Sequence, residues 1–273
     1  MSTDFRSARE DEDGLVACIF YNAFLHVWYL TYLFVLPYLF VPSTNCPRDA
    51  NWMQALTTPL PDKPIQPSDI PALSPPQIAR FLFYRAAIKI TRLLTGSVTV
   101  AIPASMSSNS DAKPSAAILW LPPHRRPSLI PLLRSGFLYT VIFRFGLTSA
   151  WHLYTFERDL EALSASLLSP LGHKKDACGF VLLIGTDPHF RGKRYGAQLL
   201  QWHIDKHREE FPGVPIVLDT TTDQAQKVYE TLRFKYLGSR IVQTGTDSDG
   251  IKLARGVAAP NDLFKQRVLI LEE

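Results

Sequence analysis

Hydrophobic and polar positions change period several times along the chain, and each change marks an element. Short apolar runs at Ser97–Ile102 (SVTVAI) and Ala116–Leu121 (AAILWL) predict strands, with a Ser-, Asn- and Asp-rich hairpin loop between them. Cys178–Ile184 (CGFVLLI) is a continuous apolar run of strand length, the pattern of a central strand covered on both faces. Helical spacing follows from Tyr195 to Phe211, where Leu199, Leu200, His203 and Ile204 share a face. Pro215–Leu218 and Phe234–Val242 read as further strands, with a helix from an Asp223 cap to Leu232 between them and Ile251–Val257 as the last strand. Upstream, Thr3–Arg9 reads as a first strand and Asp13 as the cap of a helix entering Leu15. Ser74, Pro75 and Pro76 open a helix through Leu94 that Gly96 stops. Two helical stretches, Ser128–Phe145 and Leu147–Leu168, flank Gly146. Strand alternating with helix after Cys178 predicts a mixed α/β sheet with crossover helices.

Two stretches break this pattern. No Asp, Glu, Lys or Arg occurs from Gly14 to Pro47. Its core, Leu15–Val41, has the length of a membrane span, which needs about 20 apolar residues. Asn22, His26 and Thr31 interrupt it, Pro37 would kink it, and Trp28, Tyr29, Tyr32 and Tyr38 lie mid-run, not at two interfaces. The residues before it are acidic (Asp4, Glu10, Asp11, Glu12, Asp13), unlike the basic start of a signal peptide. The run therefore reads as a pair of buried apolar helices in preference to a membrane anchor. Thr57–Pro76 is dense in proline, which denies the backbone donors that regular structure needs, and reads as an extended surface loop.

Composition narrows the class. The 273 residues are enough for one large domain with a sizeable core, and a chain 46% hydrophobic and 20% charged is not mostly disordered. A net charge of +4, from 29 Lys+Arg against 25 Asp+Glu, is too small a surplus to suggest a nucleic-acid partner. Cys18, Cys46 and Cys178 lie far apart, so they give neither a disulfide framework nor a CxxC metal site and fit a reducing, cytoplasmic setting.

The sharpest chemical signal is Arg191-Gly192-Lys193-Arg194-Tyr195-Gly196-Ala197, between a buried strand and a helix. A turn feeding a helix N-terminus offers unpaired N–H groups and partial positive charge, which hold phosphate. The alternative is an ordinary basic turn whose glycines ease the bend. There is no GxxxxGK[ST] and no GxGxxG, so neither a P-loop nor a Rossmann fingerprint is present. Glu157 and Glu161, one helical turn apart, are weaker candidates for acid–base work and otherwise a solvated face. His203 and His207 have the spacing of a metal pair but no HExxH frame, so they read as a partly exposed helix face. His189, beside the loop, either touches phosphate or is simply exposed.

The order and spacing of these segments resemble the acyl-CoA-binding core of the GNAT superfamily of N-acyltransferases, over Phe180 to Gly238. Ile184-Gly185-Thr186-Asp187-Pro188 matches the family's V-x-x-x-Pro strand end, and Arg191 to Gly196 its Gln/Arg-x-x-Gly-x-Gly/Ala pyrophosphate loop. Ala225, Tyr229 and Phe234 match the later Ala-x-x-x-Tyr-x-x-x-Gly-Phe motif. Trp120-Leu121-Pro122-Pro123 and Leu218-Asp219-Thr220-Thr221 are similar to fungal members. The chain departs at Arg194, where the family most often has a glycine, at Thr222, where it often has asparagine, and at Arg233, in place of the glycine before Phe234. A helical φ at Arg194 would keep its N–H available to phosphate; a positive φ there would be strained.

The resemblance implies a GNAT-like fold: a mixed α/β sheet whose central parallel strands, Cys178–Thr186 and Pro215–Thr220, splay apart. It implies a single domain over residues 1–273, with an N-terminal strand and apolar helices in 1–56, the Pro-rich loop in 57–76 and the acyl-CoA-binding core in 178–242. The cosubstrate implied is acetyl-CoA, without a metal, held by Ile184, Gly185, Thr186, Arg191, Gly192, Lys193, Arg194, Tyr195, Gly196 and Ala197. Tyr229 matches the position of a general acid near the sulfur. Asp219, at the end of the second strand, would act as base or orient the acceptor. The reaction implied is N-acetyl transfer to a small amine by direct attack on the thioester, and the aromatic stretches near the chain's start suggest an apolar or aromatic amine. Alternatives are a protein lysine or N-terminal acceptor, a non-catalytic CoA-binding module, and a membrane-associated protein held through residues 15–41.

Overall fold

The strand pattern closes into a seven-stranded mixed sheet in the computed structural model of the chain, which describes residues 3–24, 65–73, 75–104, 113–145, 147–241 and 265–272. The strands are β1 (Thr3–Ser7), β2 (Ser97–Pro103), β3 (Ala116–Leu121), β4 (Gly179–Thr186), β5 (Ile216–Thr220), β6 (Lys235–Ile241) and β7 (Lys265–Leu271). They lie in the order β1-β2-β3-β4-β5-β7-β6, and every neighbouring pair is antiparallel except β4–β5. The helices are α1 (Asp13–Ala23), α2 (Pro75–Leu93), α3 (Leu129–Arg134), α4 (Leu147–Leu168), α5 (Tyr195–Glu210) and α6 (Asp223–Thr231).

Side chains alternate between the sheet's two faces and so sort the core into layers. On one face Val98, Val100 and Leu119 meet Val16 and Phe20 of α1 and Tyr84 and Ile88 of α2. Further along that face, Phe180, Val217, Val268 and Ile270 meet Phe156, Leu160 and Leu168 of α4. On the other face Ile118, Val181, Leu218 and Leu269 meet Leu199, Leu200 and Ile204 of α5. Each fully buried Leu or Ile contributes about 1.5–3 kcal/mol, so the sheet is fixed from both sides.

Several elements differ from their sequence reading. The last described strand is Lys265–Leu271, inserted between β5 and β6, whereas Ile251–Val257 lies outside the described residues. Asp13 is the first residue of α1 rather than its cap; its carboxylate pairs with Arg92 at 2.8 Å. Thr222, not Asp223, caps α6, its hydroxyl accepting from the Ala225 N–H at 3.2 Å. The stretch Ser128–Phe145 is not one helix: Gly136, at φ +78°, ends α3, and a short helical piece (Phe137–Tyr139) then runs into a π-helical turn (Thr140–Phe145). Of the apolar pair expected in Leu15–Val41, α1 is present and residues 25–41 lie outside the described residues. Of the Pro-rich loop, residues 65–73 are described. Ile65 is buried, its backbone bonded both ways to the Asn22 amide, and Pro67–Ala72 forms a 3₁₀ turn.

His203 and His207 are buried, not part of an exposed helix face. Both pack on Trp120 of β3, His203 stacking at 5.1 Å with the rings 14° apart. A helix lying on a sheet turns its i and i+4 positions inward together, and here that inward face carries imidazoles. Among the described residues, no helix is long and apolar enough to cross a membrane.

Candidate active site

The site begins as a break in the sheet. β4 and β5 pair over Gly179↔Ile216, Phe180↔Val217 and Val181↔Leu218, and their pairing stops there. At the same level β4 bulges against β3. Leu119 pairs with Leu183 and Trp120 with Val181, so Leu182 is the extra residue. A bulge bends its strand and adds local twist. Beyond it, Leu182 to Thr186 of β4 and Asp219 to Thr220 of β5 diverge, and alternate N–H and C=O groups of β4 lack a strand partner on that side. Ile184, Gly185 and Thr186 line this edge. A Cβ on Gly185 would lie 2.9 Å from the Ala23 Cβ, so this glycine lets α1 close onto the strand and offers only its backbone.

The basic loop follows directly. Asp187 accepts from the His189 N–H at 2.9 Å and contacts its ring at 3.0 Å, anchoring a 3₁₀ turn over Pro188–Phe190. His189 is exposed and held by Asp187. The chain then turns through Gly192 at φ +79° and Arg194 at φ +63°, the residue that precedes α5. A Cβ on Gly196 would lie 2.7 Å from the Thr186 hydroxyl, so only glycine allows the first turn of α5 this close to the end of β4. Arg191, Lys193 and Arg194 are exposed around the turn. Lys193 rests on the Phe190 ring at 5.5 Å, and Arg191 reaches the Ala23 carbonyl at 3.3 Å. The Tyr195 ring is in the core, packed edge-on to Phe190, so Tyr195 can offer an anion only its backbone N–H. Ala197 is half-buried in the same first turn. The first N–H groups of α5 have no acceptor within the helix, and they point where its dipole favours negative charge.

Arginine replaces the expected glycine at two positions, and at both the backbone stays left-handed: φ is +63° at Arg194 and +70° at Arg233. The geometry survives the substitution at about 1–2 kcal/mol of local strain each.

The titratable groups gather at the break. Tyr229 of α6 is half-buried and packs edge-on to Phe234 at 6.1 Å. Burial, and then the nearby Asp219 charge, hold its hydroxyl well above the usual phenol range, so it stays protonated. Asp219 is half-buried on β5, and Gln266 of β7 donates to it at 3.3 Å. Burial pushes Asp219 up, while Lys175 and the Gln266 hydrogen bond pull it down. Glu157 of α4 retains solvent access, yet protein encloses it closely enough that burial raises it to about 7; Lys175 opposes the shift, and Asp219 and Glu161 add to it. Glu161 is also exposed and pairs with Lys175 at 3.0 Å, and the Lys175 ammonium also lies 4.8 Å over the Phe180 ring.

Asp219 thus falls within electrostatic reach of both Tyr229 and the weaker candidate Glu157, and Ile184–Thr186 adjoins the loop 191–197. Gln266 and Lys175 were missed. Gln266 sits on the strand the sequence misplaced, and nothing local to Lys175 sets it apart from other lysines.

The acetyltransferase (GNAT) family model matches residues 137–234. No curated protein sequence matches the chain. Among solved structures, a polyamine N-acetyltransferase from Drosophila melanogaster aligns at TM-score 0.50 and 14% identity, covering 100% of both chains. A mosquito arylalkylamine N-acetyltransferase-like protein aligns at TM-score 0.46 and 17% identity, covering 99% of this chain and 100% of its own. The fold is therefore GNAT-like, and the match to the GNAT acetyltransferase model spans residues 137–234 of the 273.

Proposed function

We propose that the protein is an acetyl-CoA-dependent N-acetyltransferase that transfers an acetyl group to the amine of a small molecule by direct attack on the thioester. The observation that carries this reading is the break between β4 and β5, with a phosphate-binding turn on one side and an acid–base set on the other. The residues present suit an acyl-CoA. The loop 191–197 combines three exposed cations with unpaired helix N–H groups, a donor set for a pyrophosphate. Ile184, Gly185 and Thr186 supply strand-edge backbone groups to an extended thioester arm and its carbonyl.

Acetyl-CoA supplies the acyl group as an activated thioester; the chain supplies position and proton control. The amine must be neutral to attack, and Glu157, poised near 7, takes its proton. Asp219 orients the acceptor from the end of β5. Tyr229, held protonated by its surroundings, donates to the departing sulfur. A new N–C bond forms as the C–S bond breaks. Cys18 and Cys178 are free, in keeping with the reducing, cytoplasmic setting proposed for the chain, and burial pushes their thiols up to about 12 and about 11, which keeps them unreactive.

Thiol release from acetyl-CoA across a panel of small amines tests the activity, and thermal unfolding with CoA tests binding. CoA at about 100 times its Kd should stabilise the fold by about 2.7 kcal/mol. Tyr229→Phe should slow turnover with CoA affinity unchanged. Neither a thermal shift nor thiol release on any amine would sink the reading; binding without turnover would favour a non-catalytic module.

A further inference from the structure

The path from α3 into α4 is apolar on both sides, although only one side faces the core. Inward, Phe137 packs on Phe83 at 5.2 Å, and Val141, Phe156 and Leu160 are buried. Outward, Tyr139, Phe143, Leu147, Trp151 and Tyr154 are between 58% and 74% exposed. Leu147, Trp151 and Tyr154 recur every three or four residues along α4, the spacing of one helical face, and Tyr139 and Phe143 precede them on the short helical piece and the π-helical turn. Tyr139 and Phe143 stand 5.0 Å apart and Trp151 and Tyr154 5.7 Å apart, so the rings form pairs along a stripe. Leu133, 59% exposed, extends the apolar surface onto α3. An exposed apolar surface of this size on a folded protein marks an interaction site.

Charge says what it meets. No Asp or Glu occurs from Ala112 to Phe156, while Arg125, Arg134 and Arg144 lie along that segment, all exposed. A two-fold contact between copies of this chain would set the same patch against itself and crowd its arginines together. An anionic bilayer surface satisfies both halves. Tyr and Trp rings favour the headgroup level, and arginine stems lie along apolar surface while their heads meet lipid phosphates.

We propose that this stripe docks the protein onto the surface of an anionic lipid bilayer, lying in the interface and not crossing it. The proposal rests on the stripe and its arginines and not on the acetyl-transfer reading.

Vesicle sedimentation of the full chain tests it, using phosphatidylcholine alone or with about a third phosphatidylserine. The expected result is binding to the anionic vesicles that weakens as salt rises, with little binding to the neutral ones. Phe143→Ser combined with Trp151→Ser should lower the partition coefficient about tenfold or more. Arg125→Gln combined with Arg134→Gln should remove the preference for anionic vesicles. These side chains are exposed, so melting temperature and acetyl transfer in solution should stay as in the parent protein. Absence of binding at low salt would overturn the proposal. Binding undiminished in the Phe143→Ser, Trp151→Ser variant would also overturn it and assign the attachment to residues 15–41. So would a solution dimer that the same two substitutions dissociate, which would give the stripe to a second copy.

Discussion

Glu157 shows a carboxylate tuned by the shape around it more than by any one partner. Burial is the largest cause of its shift to about 7; Lys175 opposes it, and the Asp219 and Glu161 charges add to it. In the base role proposed above it works ionised, so kcat/KM should rise with pH through about 7 and level off above. Glu157→Gln should cost about 10²–10⁴ in kcat/KM and erase that rising limb. A limb that persists in the variant would give the base role to Asp219. Stability carries the opposite sign. The folded pKa lies above the unfolded one, so the contribution is full below about 4.5 and is lost as pH rises to about 7. Above neutral pH, Glu157→Gln should therefore melt higher than the parent while turning over more slowly.

Helix α5 carries a different trade. Its outer end presents the basic loop, and its inner face packs two imidazoles on Trp120 where other helices would place leucine. Burial pushes His203 down to about 3 and lowers His207 as well, so both are held neutral. His207 contacts the Val214 carbonyl at 3.0 Å, which ties the end of α5 to the approach to β5. The unfolded chain binds a proton at His203 that the folded chain refuses. Stability from this group is full above about 6.5 and falls as pH drops toward about 3. Urea midpoints compared at neutral and mildly acidic pH should show an acid loss that His203→Leu largely removes. An equal loss in the variant would place the acid sensitivity elsewhere. The sequence placed His203 on the helix face with Leu199 and Ile204, yet read the His203/His207 pair as partly exposed. Hydropathy alone cannot distinguish a neutral, stacked imidazole from a solvated one.

Across the whole molecule, distant segments are tied at a few polar points. Arg92, at the end of α2, donates to Asp13 at 2.8 Å and to the carbonyls of Ala8 at 2.9 Å and Arg9 at 3.0 Å, joining the chain's start to its middle. Asp13 is nearly buried, so Arg92→Ala would leave a carboxylate unpaired. It should cost about 1–3 kcal/mol, read as a lower urea midpoint at unchanged m-value. The local elements were legible in sequence because burial imposes period on them, as in β2, β3, β4 and α5. The basic turn was legible because turns and helix starts have residue signatures, whereas Tyr229 was singled out only through the resemblance to a family motif. The partner of Asp219 was not, because Gln266 arrives on β7 by a register that no local pattern encodes. The clustering of Glu157 with Asp219 was hidden for the same reason, since α4 meets β5 only through packing. The two left-handed arginines bear on this limit. Their turns keep a shape usually attributed to glycine, so that shape is enforced by the framework on either side: β4 and α5 around Arg194, α6 and β6 around Arg233. A motif spelled in glycines therefore records the least strained way to fill these turns, and a reader who demands the letter will pass over a chain that has kept the bend.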